Sequence, residues 1–462
     1  MRSRIQFAGN PYIKTRNQGR RYIYLTLFLL SIVIINVIGI RMLLDRSGGH
    51  TLGDNKEQQS VESKLPYGDY LPTANNPLIR VVIKSNGFSQ ITHSEVSIKA
   101  ASGMIVKAKT GEVLQEIGAN ESIILKPDDA RFRKDGAIQS ILLETTIESD
   151  KLIIASLSRG CGTPSYRGKI ELFTTAEGIV IVNELPVEEY LYAVVPSEMP
   201  ASYEEEALKC QAVCARSYAY CQMLSFAYPE YEAHVDDSVS FQVYGNSGEQ
   251  ERTTSAVLGT AGEKLWFQNQ VVKTYYYSTS CGKSTSIEAW GTPVTEENRF
   301  LQGVAICDEN GADYERTYPW YRWRTEIPGK TLENLIELNT GKELGTLQNV
   351  SITETGPGGV VLKLVANGSA GSVTVKTENK IRAALGGSGY QIQKNDGTIV
   401  NSTKLLPSAF FSIAKIGENY IIEGGGYGHG IGMSQNGAHE MAKSGKTYKE
   451  ILTFFYPSTK VE

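Results

Sequence analysis

The residues best placed to do chemistry lie in one short stretch, Pro196-Ser197-Glu198-Met199-Pro200. A carboxylate with a proline on each side has a restricted backbone, and a fixed direction is what a general acid needs. A surface glutamate in a solvated loop would read the same way, so position alone leaves both readings open. The flanking sequence, PVEEYLYAVVPSEMPASYEEEALKCQAVCARSYAYCQM, predicts a helix on each side of this corner. Pro186 suits a first turn, and Glu188 and Glu189 follow where the helix dipole favours acids. The first helix is expected to stop before Pro196, because a residue preceding proline is pushed out of the helical region. The second is expected to start near Ser202, with Glu205 at capping-box spacing. Leu208, Ala212, Ala215 and Ala219 then recur along one face, with Cys210, Cys214 and Cys221 beside them.

Two other stretches carry polar groups among glycines. Tyr275-Tyr276-Tyr277-Ser278-Thr279-Ser280-Cys281-Gly282 reads as a strand entering a hydroxyl-rich turn, suited to sugar hydroxyls and N-acetyl groups. Such hydroxyls also cap their own backbone. Gly424-Gly425-Gly426-Tyr427-Gly428-His429-Gly430 lets a ligand approach the main chain, without the lysine and spacing of a P-loop. His429 could donate to a substrate oxygen, orient Glu198 or simply brace the backbone. With Cys281 it could also form the nucleophile and base of a thiol hydrolase, although no orienting Asn or Asp is identifiable by motif.

The elements that must position these groups follow from the rest of the chain. Lys and Arg total 46 against 50 Asp and Glu, a net charge of −4, so no nucleic-acid footprint is visible. Tyr22 to Ile40 is uncharged and apolar; its nineteen residues would span ~28 Å as a helix, close to the ~30 Å of a bilayer core. Six basic residues precede that span, Arg2, Arg4, Lys14, Arg16, Arg20 and Arg21, against Arg41 and Arg46 after it. The expectation is a cytoplasmic tail over 1–21, an uncleaved anchor over 22–40 and a main domain beyond the cell membrane. Polar residues 45–76 read as a linker. Short β-branched runs such as IRVVIKS and SEVSIKA predict a β-rich accessory domain over 77–160. Aromatic alternation in YPWYRWRTEI and glycine-punctuated strands after it predict a β-rich insertion over about 300–408, closed by a short helix at IRAALG. Trp320 and Trp323 there are candidates for sugar stacking, or simply buried aromatics. Six cysteines could pair, with connectivity not deducible.

Four separated blocks resemble the stage II sporulation protein D and amidase-enhancer family, in that family's order. They are VNELPVEEYLYAVVPSEMP with LKCQAVCARSYAY, then SFQVYG, then YYYSTSCGKST, then GGGYGHGIGMSQNGAHEMAKSGKTYKEILTFFYP. The resemblance runs from Arg167 to the C-terminus and implies an α+β cell-wall domain over 167–462, with two helices around the corner. It implies a peptidoglycan lytic transglycosylase in which Glu198 is the catalytic acid and base and no second carboxylate is required. Gln211, Arg216 and Tyr218 on the following helix would line the cleft, Arg216 binding a lactyl carboxylate or pairing with a core acid. Gln242 and Tyr244, the turn hydroxyls of Ser278, Thr279 and Ser280, and His429, Ser434 and Gln435 would complete the substrate site.

Some relatives place zinc ligands in the segment from Asp236 to Gly245, but this chain has Asp236, Ser240 and Phe241 at the matching positions, with His234 nearby. No metal and no other cofactor is therefore expected. The resemblance names glycan strands, a wall amidase or endopeptidase and a membrane scaffold of engulfment as partners. Two alternatives stay open: a wall-binding amidase enhancer that cleaves nothing, and the Cys281–His429 peptidase.

Overall fold

The computed structural model describes residues 76–462, an α+β chain with seven α-helices among those residues. They are α1 (Val187–Glu198), α2 (Glu205–Gln222), α3 (Glu251–Leu258), α4 (Gly329–Thr340), α5 (Glu378–Leu385), α6 (Gln435–Lys443) and α7 (Tyr448–Phe455). The expected tail, anchor and all but the end of the linker lie outside the described residues. Among the described residues, no helix is long and apolar enough to cross a membrane.

The β-branched runs near the start build the main sheet. Leu78–Ile83 pairs antiparallel along its whole length with Ile179–Pro186 and parallel with Val235–Asp236. The order continues through Lys169–Thr174, Ile141–Thr145 and Met104–Ala108 to Val113–Ile117. Strands from before residue 160 and after residue 167 thus share one sheet, with Leu78–Ile83 lying between two later strands. The accessory segment and the core segment share a hydrophobic core, so the expected boundary at 160–167 is not a structural break. The reason is burial: Ile179, Ile181 and Leu185 need a neighbour on each side, and Leu78–Ile83 supplies one.

The insertion also extends further than expected. Its five-stranded sheet takes Trp323–Pro328 at the centre and is completed by Phe411–Ile416 and Asn419–Gly424, beyond residue 408. The short helix at IRAALG is α5. Helix α4 was not anticipated, although Leu332, Leu335 and Ile336 are buried at helical spacing. Trp323 is buried, with its indole N–H on the Gly426 carbonyl at 3.1 Å, whereas Trp320 is half-buried against Tyr427.

Helix α2 is the axle of the fold. Ala212, Ala215 and Ala219 pack into the main-sheet core, while Leu208, Cys210, Val213 and Cys214 pack into a second core with α6 and α7. Its polar Gln211, Arg216 and Ser217 are buried as well, each with hydrogen-bond partners from neighbouring elements or its own backbone. All six cysteines are unpaired, Cys210 and Cys214 being buried small core residues.

Both helix ends at the Glu198 corner differ from expectation. Helix α1 runs through Pro196 to Glu198. Only the final turn follows the proline, so one N–H is lost; Ser197 Oγ donates to the Ala193 carbonyl at 2.6 Å and Met199 N–H to Val195 at 2.9 Å. Helix α2 starts at Glu205, and Ser202 does not cap it. Tertiary contact sets that end instead: Glu204 N–H donates to His439 Nδ1 of α6 at 3.1 Å.

Candidate active site

Glu198 ends α1, and the loop after Val235–Asp236 returns beneath it. The Val243 N–H donates to Glu198 Oε1 at 2.7 Å. The Tyr276 hydroxyl donates to the same carboxyl, and itself accepts from Gln242 Nε2 at 3.1 Å. Gln242 is held in turn by the Tyr190 hydroxyl at 3.3 Å and the Ala215 carbonyl at 3.3 Å. From the other side, Gln435 Nε2 donates to the Glu198 backbone carbonyl at 3.0 Å and to Gln211 Oε1 at 3.2 Å. Gln211 Nε2 is buried without a hydrogen-bond partner among the described residues. Glu198, Gln211, Gln242, Gln435 and Tyr276 therefore form one connected cluster drawn from four separate stretches.

The electrostatics of this cluster suit proton transfer. Glu198 is half-buried, and burial of its carboxyl raises the pKa to about 7 against the opposing bonds from Val243 and Tyr276. No charged neighbour contributes to that shift. Desolvation is therefore the dominant cause, as for a carboxyl that must stay protonated near neutrality.

Other expected site residues are committed elsewhere. Arg216 is fully buried, forked onto Glu188 with both N···O distances 2.7 Å, and bonded to the Val257 and Glu263 carbonyls. Of its two readings, the structure gives the core pair. Tyr244 is buried between Tyr166 and Tyr190, with its hydroxyl on Asn183 Oδ1 at 2.7 Å. Ser280 and Ser434 turn away from Glu198 and hold Glu315: Ser280 N–H at 2.8 Å, Ser434 Oγ at 2.7 Å and the Ser280 hydroxyl. Thr279 is buried against Asn436 Nδ2 at 2.9 Å, and half-buried Ser278 touches Thr279. Tyr218 Oη accepts from Gln222 Nε2 at 3.0 Å and stands near enough to feel the Glu198 charge.

His429 does not reach Glu198. Its Nδ1 accepts from Ile431 N–H at 3.1 Å, which leaves the proton on Nε2, donating to the Tyr276 carbonyl at 3.0 Å. Burial first, then Arg382, lowers its pKa to about 3, so the ring stays neutral. With both nitrogens engaged it orients neither Glu198 nor a substrate oxygen; it braces the segment that carries Tyr276. Cys281 has its thiol pKa raised by burial and its acceptor in the Lys283 carbonyl at 3.9 Å. Among the described residues, no hydrogen bond joins the Cys281 thiol to the His429 imidazole, and the geometry gives the peptidase reading no support.

Sequence reasoning missed Tyr276 as a direct contact of Glu198, and it missed Glu315. Tyr276 carried a signal, being the middle of three tyrosines before the turn. Glu315 carried none, and only folding brings it against Ser280 and Ser434; burial raises its pKa to about 7 as well. In the segment where relatives place zinc ligands, Asp236 accepts from Ser238 and Tyr228, while Asp237 pairs with Arg159 at 2.6 Å. His234 accepts from Arg80 N–H. No group of three or more potential metal ligands occurs among the described residues. The loop instead delivers Val243 to Glu198.

The cavities beside Arg322 are lined by the β subdomain, one of them also by Cys281 and Lys283, and include none of the Glu198 cluster.

Comparison with known proteins agrees with this arrangement. The family described as stage II sporulation protein matches residues 175–267, spanning Glu198 through Gln242, and a domain of unknown function matches 278–432. The chain is 30% identical over 335 residues to stage II sporulation protein D of Bacillus subtilis, covering 68% of this chain and 86% of that protein. It is 28% identical over 293 residues to the amidase enhancer of the same organism, covering 58% of this chain and 40% of that protein. An uncharacterized protein of Brachyspira hyodysenteriae is 32% identical over 293 residues. On the extent of these matches, and with the Glu198 corner inside the matched region, the chain belongs to the stage II sporulation protein D and amidase-enhancer family.

Proposed function

We propose that the protein is a lytic transglycosylase that remodels the cell wall by cleaving peptidoglycan glycan strands. The observation that carries this reading is the Glu198 carboxyl, desolvated to a pKa of about 7 and hydrogen-bonded only by neutral donors. Protonated Glu198 gives its proton to the oxygen linking N-acetylmuramic acid to N-acetylglucosamine as the C1–O4 bond breaks. The resulting carboxylate takes the proton of the muramic C6 hydroxyl while O6 bonds to C1. This leaves a 1,6-anhydro end and regenerates the acid. One carboxyl serves both steps and no water is consumed, unlike the paired carboxylates of hydrolytic glycosidases. Tyr276 and the Val243 N–H would stabilise the carboxylate after the first transfer.

The similarity to an amidase enhancer supports a second reading, in which the domain binds wall glycan or a wall amidase and cleaves nothing. Incubation of the protein with purified peptide-free glycan, followed by mass spectrometry of the ends, separates the two. Anhydro ends from the wild type, lost in Glu198→Gln by about a thousandfold or more, are the expected result. Reducing ends would mean hydrolysis. Intact glycan would leave the enhancer reading standing. Membrane anchoring, an engulfment scaffold and a wall amidase or endopeptidase as partner belong to the same proposal.

A further inference from the structure

The first β segment borders two cavities that contain none of the Glu198 cluster. One, of about 430 Å³, is lined by residues of the Ser85–Gln90 turn, and the other, of about 580 Å³, adjoins it. Gln90, Thr92 and Glu177 line both, so the two make one groove. The first cavity is largely polar, and the second ends on half-buried Ile91 and Tyr231. Neither is lined by a lysine or an arginine, whereas Glu95 and Glu177 bring carboxylates. Glu95 lies 3.8 Å from Lys126. Glu177 has no ion pair, and its carboxyl accepts no hydrogen bond among the described residues; its backbone N–H alone is engaged, on Thr175 Oγ1 at 3.2 Å.

The rim of this groove is held in a strained shape. Asn86, Gly87 and Phe88 follow one another at φ of 46°, 60° and 69°, and a bulky side chain in the left-handed region persists only where its surroundings enforce it. Ser85 N–H closes the turn on the Gln90 carbonyl at 2.7 Å. The Phe88 ring lies against the Arg159 guanidinium at 4.1 Å, and Arg159 is fixed by its buried pair with Asp237 at 2.6 Å. At the other end Tyr231 packs on Phe173, with ring centroids 5.3 Å apart. Within this frame Gln90 Nε2 and the hydroxyls of Thr92, Ser94, Ser158 and Tyr231 have no protein partner among the described residues. Such a set of neutral donors and acceptors beside one free carboxylate suits a ligand with several hydroxyls. An anion would meet two carboxylates and no lining cation. A metal ion would lack ligands, since no group of three or more metal-ligating side chains occurs among the described residues.

We infer that this groove is a carbohydrate site for an uncharged saccharide. Sugar hydroxyls donate to Glu177 and accept from Gln90, Thr92 and Ser94, while the C–H face of a ring packs on Tyr231. The site shares no residue with the Glu198 cluster, so its occupation does not depend on what Glu198 does. With the cell wall as substrate, the uncharged ring within reach is N-acetylglucosamine, and the first β segment then holds the wall while the Glu198 cluster acts on it.

The test is amide hydrogen exchange of the full-length protein with two probes, the uncharged N,N′,N″-triacetylchitotriose and the acidic trisaccharide trigalacturonate. Chitotriose is expected to slow exchange by about threefold or more over residues 85–95 and 175–178, and trigalacturonate to leave it unchanged. Glu177→Ala combined with Tyr231→Ala is expected to remove that slowing while any slowing around Glu198 stays. Unchanged exchange over 85–95 with chitotriose would overturn the inference. Equal slowing by the acidic probe, or slowing that survives the double substitution, would do the same. The comparison of probes needs no substitution, so a misfolded variant cannot obscure the answer. No bond is cleaved in this measurement, so end-group analysis of glycan digests decides the transglycosylase separately.

Discussion

At the scale of the residue, Glu198 is costly to keep. Its pKa rises from the usual 4.5 of a glutamate to about 7 on folding. A raised folded pKa means that the favourable state is the protonated one, fully present below about 4.5 and lost as pH passes 7. Above that point the folded protein holds an ion in a poorly solvated place, a penalty of up to about 3 kcal/mol. Glu198→Gln should therefore match wild type in stability near pH 4 and exceed it near pH 8, as read by urea midpoints. A variant less stable at both pH values would contradict the desolvated carboxyl. The activity of the wild type should fall as pH rises through about 7, for the same reason. Glu198 was legible in the sequence because two prolines frame it within a motif. Arg216 was legible only as a choice of two roles, because its acid, Glu188, lies 28 residues earlier and on another helix.

At the scale of the element, the glycine-rich loop acts through backbone. His429 is locked between the Tyr276 carbonyl and the Ile431 N–H, with Tyr277 and Trp290 against its ring. Gly428 and Gly430, on either side, have φ of 121° and 80°, which only glycine adopts without strain. Added Cβ atoms there would meet Tyr277 and Phe410 at 2.7 and 2.4 Å. Glycine density signalled an open loop for ligand approach, whereas the structure uses those glycines to fold the loop tightly onto its neighbours. His429→Ala should then cost roughly 1–3 kcal/mol of stability and lower activity through Tyr276, with no change in the pH midpoint of activity. A moved midpoint would mean that the imidazole takes part in proton transfer. The missed ends of α1 and α2 have different causes: a proline so near the end costs α1 one bond that local bonds from Ser197 and Met199 offset, whereas His439 from a distant helix sets the start of α2.

At the scale of the molecule, strand identity was legible and strand partnership was not. Alternating residues announce a strand, but nothing in IRVVIK names Ile179–Pro186 as its neighbour about 100 residues away. The first β segment therefore looked like a separate spacer. Because it lies inside the main sheet, a fragment beginning at residue 167 should fail to fold, and circular dichroism with size-exclusion chromatography would show it. A monomeric, cooperatively melting 167–462 fragment would refute the shared core.

The alanine face of α2 has a mechanical consequence. The main-sheet core and the α6–α7 core grip the same helix from different faces, and Gln435 of α6 reaches across to the backbone carbonyl of Glu198. Neither half can swing without sliding a close-packed alanine surface, so the two halves are held as one unit around Glu198. On the proposed reaction, any distortion needed would fall on the sugar rather than on the protein.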